Sequence, residues 1–88
     1  MKGDVIFSAK ALHAYIEWQT TNKKIVARIN ALIKDIQRNG LMKGIGNPKT
    51  LKHIKGYSRN IDDFHRLIYR ADENQVLRII SCKGHYED

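Results

Sequence analysis

The chain has 88 residues, the length of one small domain, so we expect residues 1–88 to form a single domain. Hydrophobic residues make up 42% of the sequence, which is enough for a packed core and excludes a disordered tail. The formal net charge of +7 favours an anionic partner such as RNA, DNA, a ribosome, an acidic protein or a membrane surface.

The cysteine and histidine content limits which disulfides and metal sites the chain can form. Cys82 is the only cysteine, which excludes an intrachain disulfide and a paired-cysteine metal site. The four histidines have no close spacing, so we predict no metal site and no cofactor. No stretch approaches the roughly 18 apolar residues that span a bilayer, so we expect no membrane segment and a reducing, cytoplasmic location.

The first half of the chain predicts a strand and two helices. Residues 5–7 are typical of a short buried strand, and Ser8 is an N-cap residue that opens a helix over residues 9–20. Asn22 is a second N-cap, and Gly40 ends the helix that follows it. The apolar face of that second helix consists of Ile25, Ile29, Leu32, Ile33 and Ile36. We expect the two helices to pack antiparallel across a tight turn.

The second half predicts a loop followed by a β-hairpin. Residues 41–55 contain two glycines, the only proline and several lysines, which favours a loop. Residues 64–69 and 76–81 have strand-like patterns, and the polar residues 72–74 between them predict the turn of the hairpin.

Positive charge is concentrated in one part of the chain. Residues 23–59 hold ten lysines and arginines and a single acid, Asp35. Any one lysine is most simply a solvated surface residue. The block as a whole is too one-sided for an ordinary surface, which favours a footprint for a phosphate backbone. The residues predicted to contact RNA are Lys43, Lys52, Lys55 and Arg59.

Two short segments carry residues suited to chemistry on a phosphodiester: the histidine and arginine of His65-Arg66-Leu67 and the histidine and tyrosine of Gly84-His85-Tyr86. Histidine transfers protons near neutral pH, and arginine holds charge on phosphate oxygens with a rigid donor fork. A metal-free ribonuclease needs a base, an acid and a cation, which His85, Arg66, Arg59 and a lysine of the loop could supply if the fold brings them together. The structural alternative for Arg66 is an ion pair with Asp62 or Asp63, and His65 is expected to be structural.

Stretches that match one known family lie along the chain, among them residues 32–35, 44–46, 58–59, 65–69 and 85–86. Through them the chain resembles the YoeB/Txe-type toxins of the RelE superfamily nearly from end to end. The resemblance implies a microbial-ribonuclease-like α+β fold, with two helices packed on a small antiparallel sheet. It also implies an endoribonuclease that cuts mRNA in the ribosomal A site, a cognate antitoxin that blocks the site, and in some relatives a homodimer.

The resemblance assigns a role to each matching site residue. Arg66 would stabilise the transition state, His85 would be the general acid, Tyr86 would position the substrate and Arg59 would hold phosphate. The chain departs from the pattern in three places, at Lys49, which stands where the family has its glutamate base, in the loop at residues 56–60, and in the tail at residues 87–88. A free lysine has a pKa of about 10.4 and is a weak base at neutral pH.

Lys49 therefore leaves alternatives open. RelE-like members of the superfamily work with lysines and arginines, so Lys49 can belong to an active site. The alternative from another class is a catalytically weak or silent homologue that binds RNA, the ribosome or an antitoxin without cleavage. A DNA-binding helix-turn-helix is disfavoured, because the apolar face makes the second helix a packing element.

Overall fold

The computed structural model describes residue 1 and residues 3–85 of the chain. Two helices and five strands follow one another in the order β1, α1, α2, β2, β3, β4, β5. Their bounds are β1 Val5–Phe7, α1 Ala9–Thr21, α2 Lys23–Asn39, β2 Lys49–Thr50, β3 Tyr57–Asn60, β4 Arg66–Ala71 and β5 Leu77–Ser81.

The helix ends lie where the capping residues predict them. The Ser8 hydroxyl accepts a hydrogen bond from the Ala11 N–H at 3.0 Å and opens α1. The Asn22 side chain does the same for α2, accepting from the Ile25 N–H at 3.3 Å. Gly40 ends α2 with a φ of 94°, a backbone conformation that glycine adopts without strain.

The strands form one sheet in the order β1-β5-β4-β3-β2. The β4–β5 hairpin is antiparallel, as predicted, and β3 and β2 add to it antiparallel on one side. The small antiparallel sheet that was expected gains one parallel strand, β1, which pairs with β5 so that Val5 lies opposite Leu77. A parallel pair needs a long crossover connection, and the two helices between β1 and the rest of the sheet supply one.

The α+β fold is confirmed, and its core lies between the helices and the sheet. The buried residues of α2 are Ile25, Ile29, Leu32 and Ile36, each no more than 7% exposed. They pack with Leu67, Tyr69, Leu77 and Ile79 of the hairpin. Burying an isoleucine or leucine side chain contributes about 1.5–3 kcal/mol, so this seam holds α2 on the sheet.

Outside this seam, β1 and α1 attach to the rest of the fold through other contacts. β1 is a sheet edge, and its Ile6 is 38% exposed, so the buried strand expected there is only half-buried. The Trp18 indole donates to the Cys82 carbonyl at 3.0 Å and ties α1 to the chain just beyond β5. In the part of the chain that the structure describes, no helix is long and apolar enough to cross a membrane.

Candidate active site

A cleft of about 230 Å³ opens where β2, β3 and β4 meet the segment beyond β5. Its lining consists of Lys49, Thr50, Leu51, Lys52, Ser58, Asn60, Arg66 and His85. Four of the eight predicted site residues, Lys49, Lys52, Arg66 and His85, therefore meet in one place. The sheet register brings them together, because Lys49 pairs with Ser58 on β3 and Asn60 pairs with Arg66 on β4.

Arg66 stands at the first position of β4 and is held by main-chain oxygens. Its guanidinium Nη1 donates to the carbonyls of Asp62 and His65 at 2.9 and 3.1 Å. Its Nη2 lies 3.5 Å from the Asp63 carbonyl. In place of the ion pair with the Asp62 or Asp63 carboxylate, considered as an alternative, Arg66 bonds the backbone carbonyls of these two aspartates. These bonds orient the guanidinium without neutralising its charge, which leaves it able to bind an anion.

Hydrogen bonds to Gly84, the residue before it, hold His85 at the cleft. The Arg66 N–H donates to the Gly84 carbonyl at 3.0 Å, and the Gly84 N–H donates to Nδ1 of His65 at 2.8 Å. The His65 ring packs edge-on against Trp18, with 4.9 Å between ring centroids. His65 is therefore structural, as predicted, and it holds the segment that presents the exposed His85.

Lys49 and Lys52 give the cleft its charge. Both side chains are exposed, Lys49 on β2 and Lys52 just beyond it. No aspartate or glutamate is among the described residues that line the cleft. The missing glutamate noted in the sequence is thus not replaced by a carboxylate from another of these lining residues.

The phosphate-binding role expected of Arg59 is wrong, because its side chain is fully buried. Each of its five N–H donors has an acceptor in the protein. These acceptors are the Tyr69 hydroxyl, the Asp35 carboxylate and the carbonyls of Ile45, Gly40 and Lys43, at 2.5 to 3.0 Å. Arg59 instead fastens the loop that follows α2 to the sheet.

The alternation of strand β3 explains the position of Arg59. Successive side chains of a strand point to opposite faces of a sheet. Ser58 and Asn60 line the cleft, so Arg59 between them must point to the other face, into the core. A period-2 reading of residues 57–60 would have predicted this from the sequence.

The Arg59–Asp35 pair is ionic in spite of its partial burial. Burial acts to raise the pKa of Asp35, but hydrogen bonds from Arg59, the Ile45 N–H and Asn39 outweigh it and hold that pKa below its usual value. Burial raises the pKa of the neighbouring Tyr69 hydroxyl, which stays protonated and donates to the Leu41 carbonyl at 2.5 Å.

The remaining predicted residues lie elsewhere. Lys43 is exposed on the loop that Arg59 fastens, and Lys55 borders a separate depression with Arg70 and Glu73. Neither lines the cleft, so Lys49 and Lys52 are the two of these four loop lysines that do. Tyr86 lies outside the described residues.

Four residues in or near the cleft were not predicted from the sequence to belong to the site. Ser58, Asn60 and Thr50 line it with small polar side chains. Phe64, expected at the start of a strand, instead precedes β4 in a turn and is 58% exposed, with its ring 6.0 Å from the His85 ring. In the sequence, the available signal was a phenylalanine placed directly between two aspartates and the histidine-arginine pair.

A band of positive charge runs outside the cleft along α2. It consists of Lys23, Lys24, Lys34 and Arg38, which are exposed on the outer side of the helix, and Arg28, which is half-buried beside the core face. The Arg28 guanidinium donates to the Asn60 carbonyl at 3.2 Å and ties α2 to the end of β3. Within residues 1 and 3–85, no three His, Cys, Asp or Glu side chains cluster as metal ligands would.

Comparison with known proteins gives a consistent result. The family model for the YoeB-like toxin of bacterial type II toxin–antitoxin systems matches residues 7–86. Toxin YoeB of Escherichia coli strain K12 is 42% identical over 84 residues, which cover 93% of this chain and 98% of that protein. A solved YoeB–YefM complex from Staphylococcus aureus matches with a TM-score of 0.87 at 44% identity, covering 98% of this chain and 100% of that one. A YoeB dimer from the same organism matches with a TM-score of 0.89 at 42% identity and the same coverage.

Proposed function

Because this chain belongs to the YoeB-like toxins of bacterial type II toxin–antitoxin systems, we propose that it is an endoribonuclease that cuts mRNA in the ribosomal A site. The observation that carries the proposal is the convergence of Arg66, His85, Lys49 and Lys52 in one cleft. Metal-free cleavage of a ribose phosphodiester requires an acid, a base and a cation, and a histidine, an arginine and two lysines can supply these groups.

The reaction begins with attack of the ribose 2′-oxygen on the adjacent phosphorus. Arg66 binds the phosphate oxygens and stabilises the negative charge that grows on the phosphorane, because its guanidinium lines the cleft and is oriented there by backbone carbonyls. His85 gives its proton to the departing 5′-oxygen. The products are a 2′,3′-cyclic phosphate and a free 5′-hydroxyl, with one proton taken from the 2′-hydroxyl and one delivered to the leaving group.

Lys49 takes the position of the base in this scheme. Its neutral amine accepts the 2′-hydroxyl proton, and its ammonium form, with Lys52, adds positive charge beside the phosphate. Tyr86 is proposed to position the substrate, as in the family pattern.

The partners follow from the same family. The S. aureus relative was solved as a YoeB–YefM complex and as a YoeB dimer. We propose that a cognate antitoxin likewise binds this chain and covers the cleft, that the chain can pair with a second copy, and that it acts in the cytoplasm, where ribosomes translate. The net charge of +7 favours an antitoxin with an acidic binding segment.

The test is in vitro translation of a defined mRNA followed by primer extension, with the native chain compared with its Lys49→Glu and His85→Gln variants. We expect the native chain to cut at A-site codons and Lys49→Glu to cut faster at neutral pH. His85→Gln should slow single-turnover cleavage on the order of a hundredfold with ribosome binding unchanged. An unchanged single-turnover rate in His85→Gln would remove the general-acid role.

A second candidate function rests on the cleft having no carboxylate among its described lining residues. In that case the chain binds RNA, the ribosome or an antitoxin without cutting. The same experiment separates the two functions. No cleavage by the native chain, with recovery in Lys49→Glu, would establish a preserved scaffold whose base has been lost.

A further inference from the structure

Phe64 is the most exposed large hydrophobic residue among those described. Its side chain is 58% exposed, although phenylalanine is ordinarily a core residue. Its ring centroid lies 6.0 Å from that of His85, with the ring planes inclined at 43°. An apolar ring thus stands in solvent at the mouth of a cleft whose other features are positive charge and small polar side chains.

The turn that carries Phe64 is rigid. The Asp62 carboxylate accepts from the Phe64 and His65 N–H groups at 2.9 and 2.6 Å. The bond from the His65 N–H, the main cause, holds the pKa of Asp62 below its usual value, so the carboxylate that forms the turn is ionised at neutral pH. The Ile61 N–H closes the turn on the His65 carbonyl at 2.9 Å. Phe64 is therefore presented by a fixed backbone.

The ring itself is held from one side only. It meets the His65 ring at 5.2 Å with the planes 88° apart, an edge-to-face contact. His65 in turn packs edge-on against Trp18 in the core. This row of three rings braces Phe64 while most of its surface remains open to solvent.

We propose that Phe64 is a stacking platform for a base of the bound RNA, next to the phosphate that is cleaved. The proposal rests on the proposed function, since it places the base beside His85. Sites for single-stranded nucleic acid combine a positive groove with aromatic rings on which bases stack, and Lys49, Lys52 and Phe64 provide that combination here. A base stacked on Phe64 leaves its phosphate within reach of His85 and Arg66.

The experiment uses ribosomes programmed with an mRNA that carries 2-aminopurine at one position of the A-site codon at a time. The nucleotide that supplies the 2′-hydroxyl is replaced by its 2′-deoxy form, so the RNA binds without being cut. Stacking quenches 2-aminopurine fluorescence. Phe64→Tyr keeps an aromatic ring, and Phe64→Leu removes it but keeps an apolar side chain. Ile16→Ala is the control, because Ile16 is 55% exposed on α1 and away from the cleft.

We expect the native chain, Phe64→Tyr and Ile16→Ala to quench one of the three positions, and Phe64→Leu to lose that quenching. Stacking on an aromatic ring contributes enough to binding that Phe64→Leu should weaken ribosome affinity on the order of tenfold. On native mRNA, the same variant should lower cleavage at subsaturating protein by a similar factor.

Other results would overturn the proposal in distinguishable ways. Equal quenching and affinity in Phe64→Leu and the native chain, with native mRNA still cut, would remove the stacking role and leave the proposed function standing. A native chain that neither binds the ribosome nor cuts mRNA would remove both. If Phe64→Leu changes only the sedimentation of the free protein, from dimer to monomer, the ring is a contact between copies and the stacking role is wrong.

Discussion

At the scale of single residues, two arginines of the same sheet show how burial decides a side chain's role. Arg59 points into the core, where an unpaired guanidinium would be very costly, and each of its donors has a protein acceptor. Arg66 lies seven positions later, half-buried, with backbone acceptors on one side and the cleft on the other. The first is bound to the protein itself, and the second is free to bind an anion.

The two arginines make a matched pair of variants. Arg59→Leu should lower the free energy of unfolding by roughly 3 kcal/mol or more, because it leaves the Asp35 carboxylate and four other acceptors without their partner. Arg66→Leu should change that free energy by less than about 1 kcal/mol and abolish cleavage. Urea unfolding and primer extension measure the two effects. A fully active Arg66→Leu protein, or an Arg59→Leu protein of native stability, would contradict this division.

At the scale of elements, the turns are shaped by acidic side chains that accept backbone bonds. Asp35 of α2 accepts from the Ile45 N–H at 3.0 Å and so fixes the loop before β2. Gly44 in that loop has a φ of +118°, and a Cβ there would overlap the Asp35 carboxylate. Asp62 shapes the turn before β4, and Asp72 shapes the β4–β5 hairpin. Three acidic residues of this basic chain, Asp35, Asp62 and Asp72, thus shape its turns and loops.

Asp72 makes stability depend on pH. Its carboxylate accepts from the Val76 and Asn74 N–H groups and from Arg78 Nε at 2.9 to 3.0 Å. These bonds, the one from Val76 first and that from Arg78 next, hold the pKa of Asp72 below its ordinary value of about 3.9. A lowered pKa contributes stability that is fully present above the unfolded pKa and is lost as pH falls through the folded pKa.

Asp72→Asn should therefore lower the melting temperature at pH 7, and the difference from the native chain should shrink as the pH falls below about 4. Thermal unfolding followed by circular dichroism between pH 2.5 and 7 measures both curves, with Asp63→Asn as the control because Asp63 is exposed. A difference that stays constant across this range would show that the carboxylate charge of Asp72 does not stabilise the hairpin.

At the scale of the whole molecule, charge is separated in space as well as in sequence. The positive band lies on the outer side of α2, whereas the lysines of the cleft lie beside Ser58 and Asn60, on the face of β3 that points away from the core. The acids of the turns are occupied by backbone N–H groups and arginines. The lysines of the cleft thus form a positive surface for an anionic partner, separate from the band on α2.

This surface predicts a steep salt dependence of ribosome binding. Each phosphate contact releases counterions, so the logarithm of the binding constant should fall linearly with the logarithm of salt concentration. Lys52→Gln should make that slope shallower by about 1, because one contact is lost. Lys10→Gln on α1, outside the band and the cleft, is the control and should leave the slope unchanged. A flat salt response of the native chain would refute the electrostatic footprint.

The sequence by itself determined the features that depend on neighbouring residues. Ser8, Asn22 and Gly40 set the helix ends because capping bonds are made within three or four positions. The polar residues 72–74 predicted the hairpin turn for the same reason. The resemblance carried by residues 65–67 and 85–86 was enough to predict the toxin family that the comparisons confirm.

Only the tertiary structure decided features that depend on pairing between distant segments. The parallel pairing of β1 with β5 joins residues more than seventy positions apart, and the register of β2, β3 and β4 is likewise set by pairing between segments. The same register brings Lys49 and Lys52 to the cleft and leaves Lys43 and Lys55 outside it. Sequence patterns report the face of an element, but which segment covers that face is determined by packing, which is why the lysines looked equivalent in the sequence and are not equivalent in the fold.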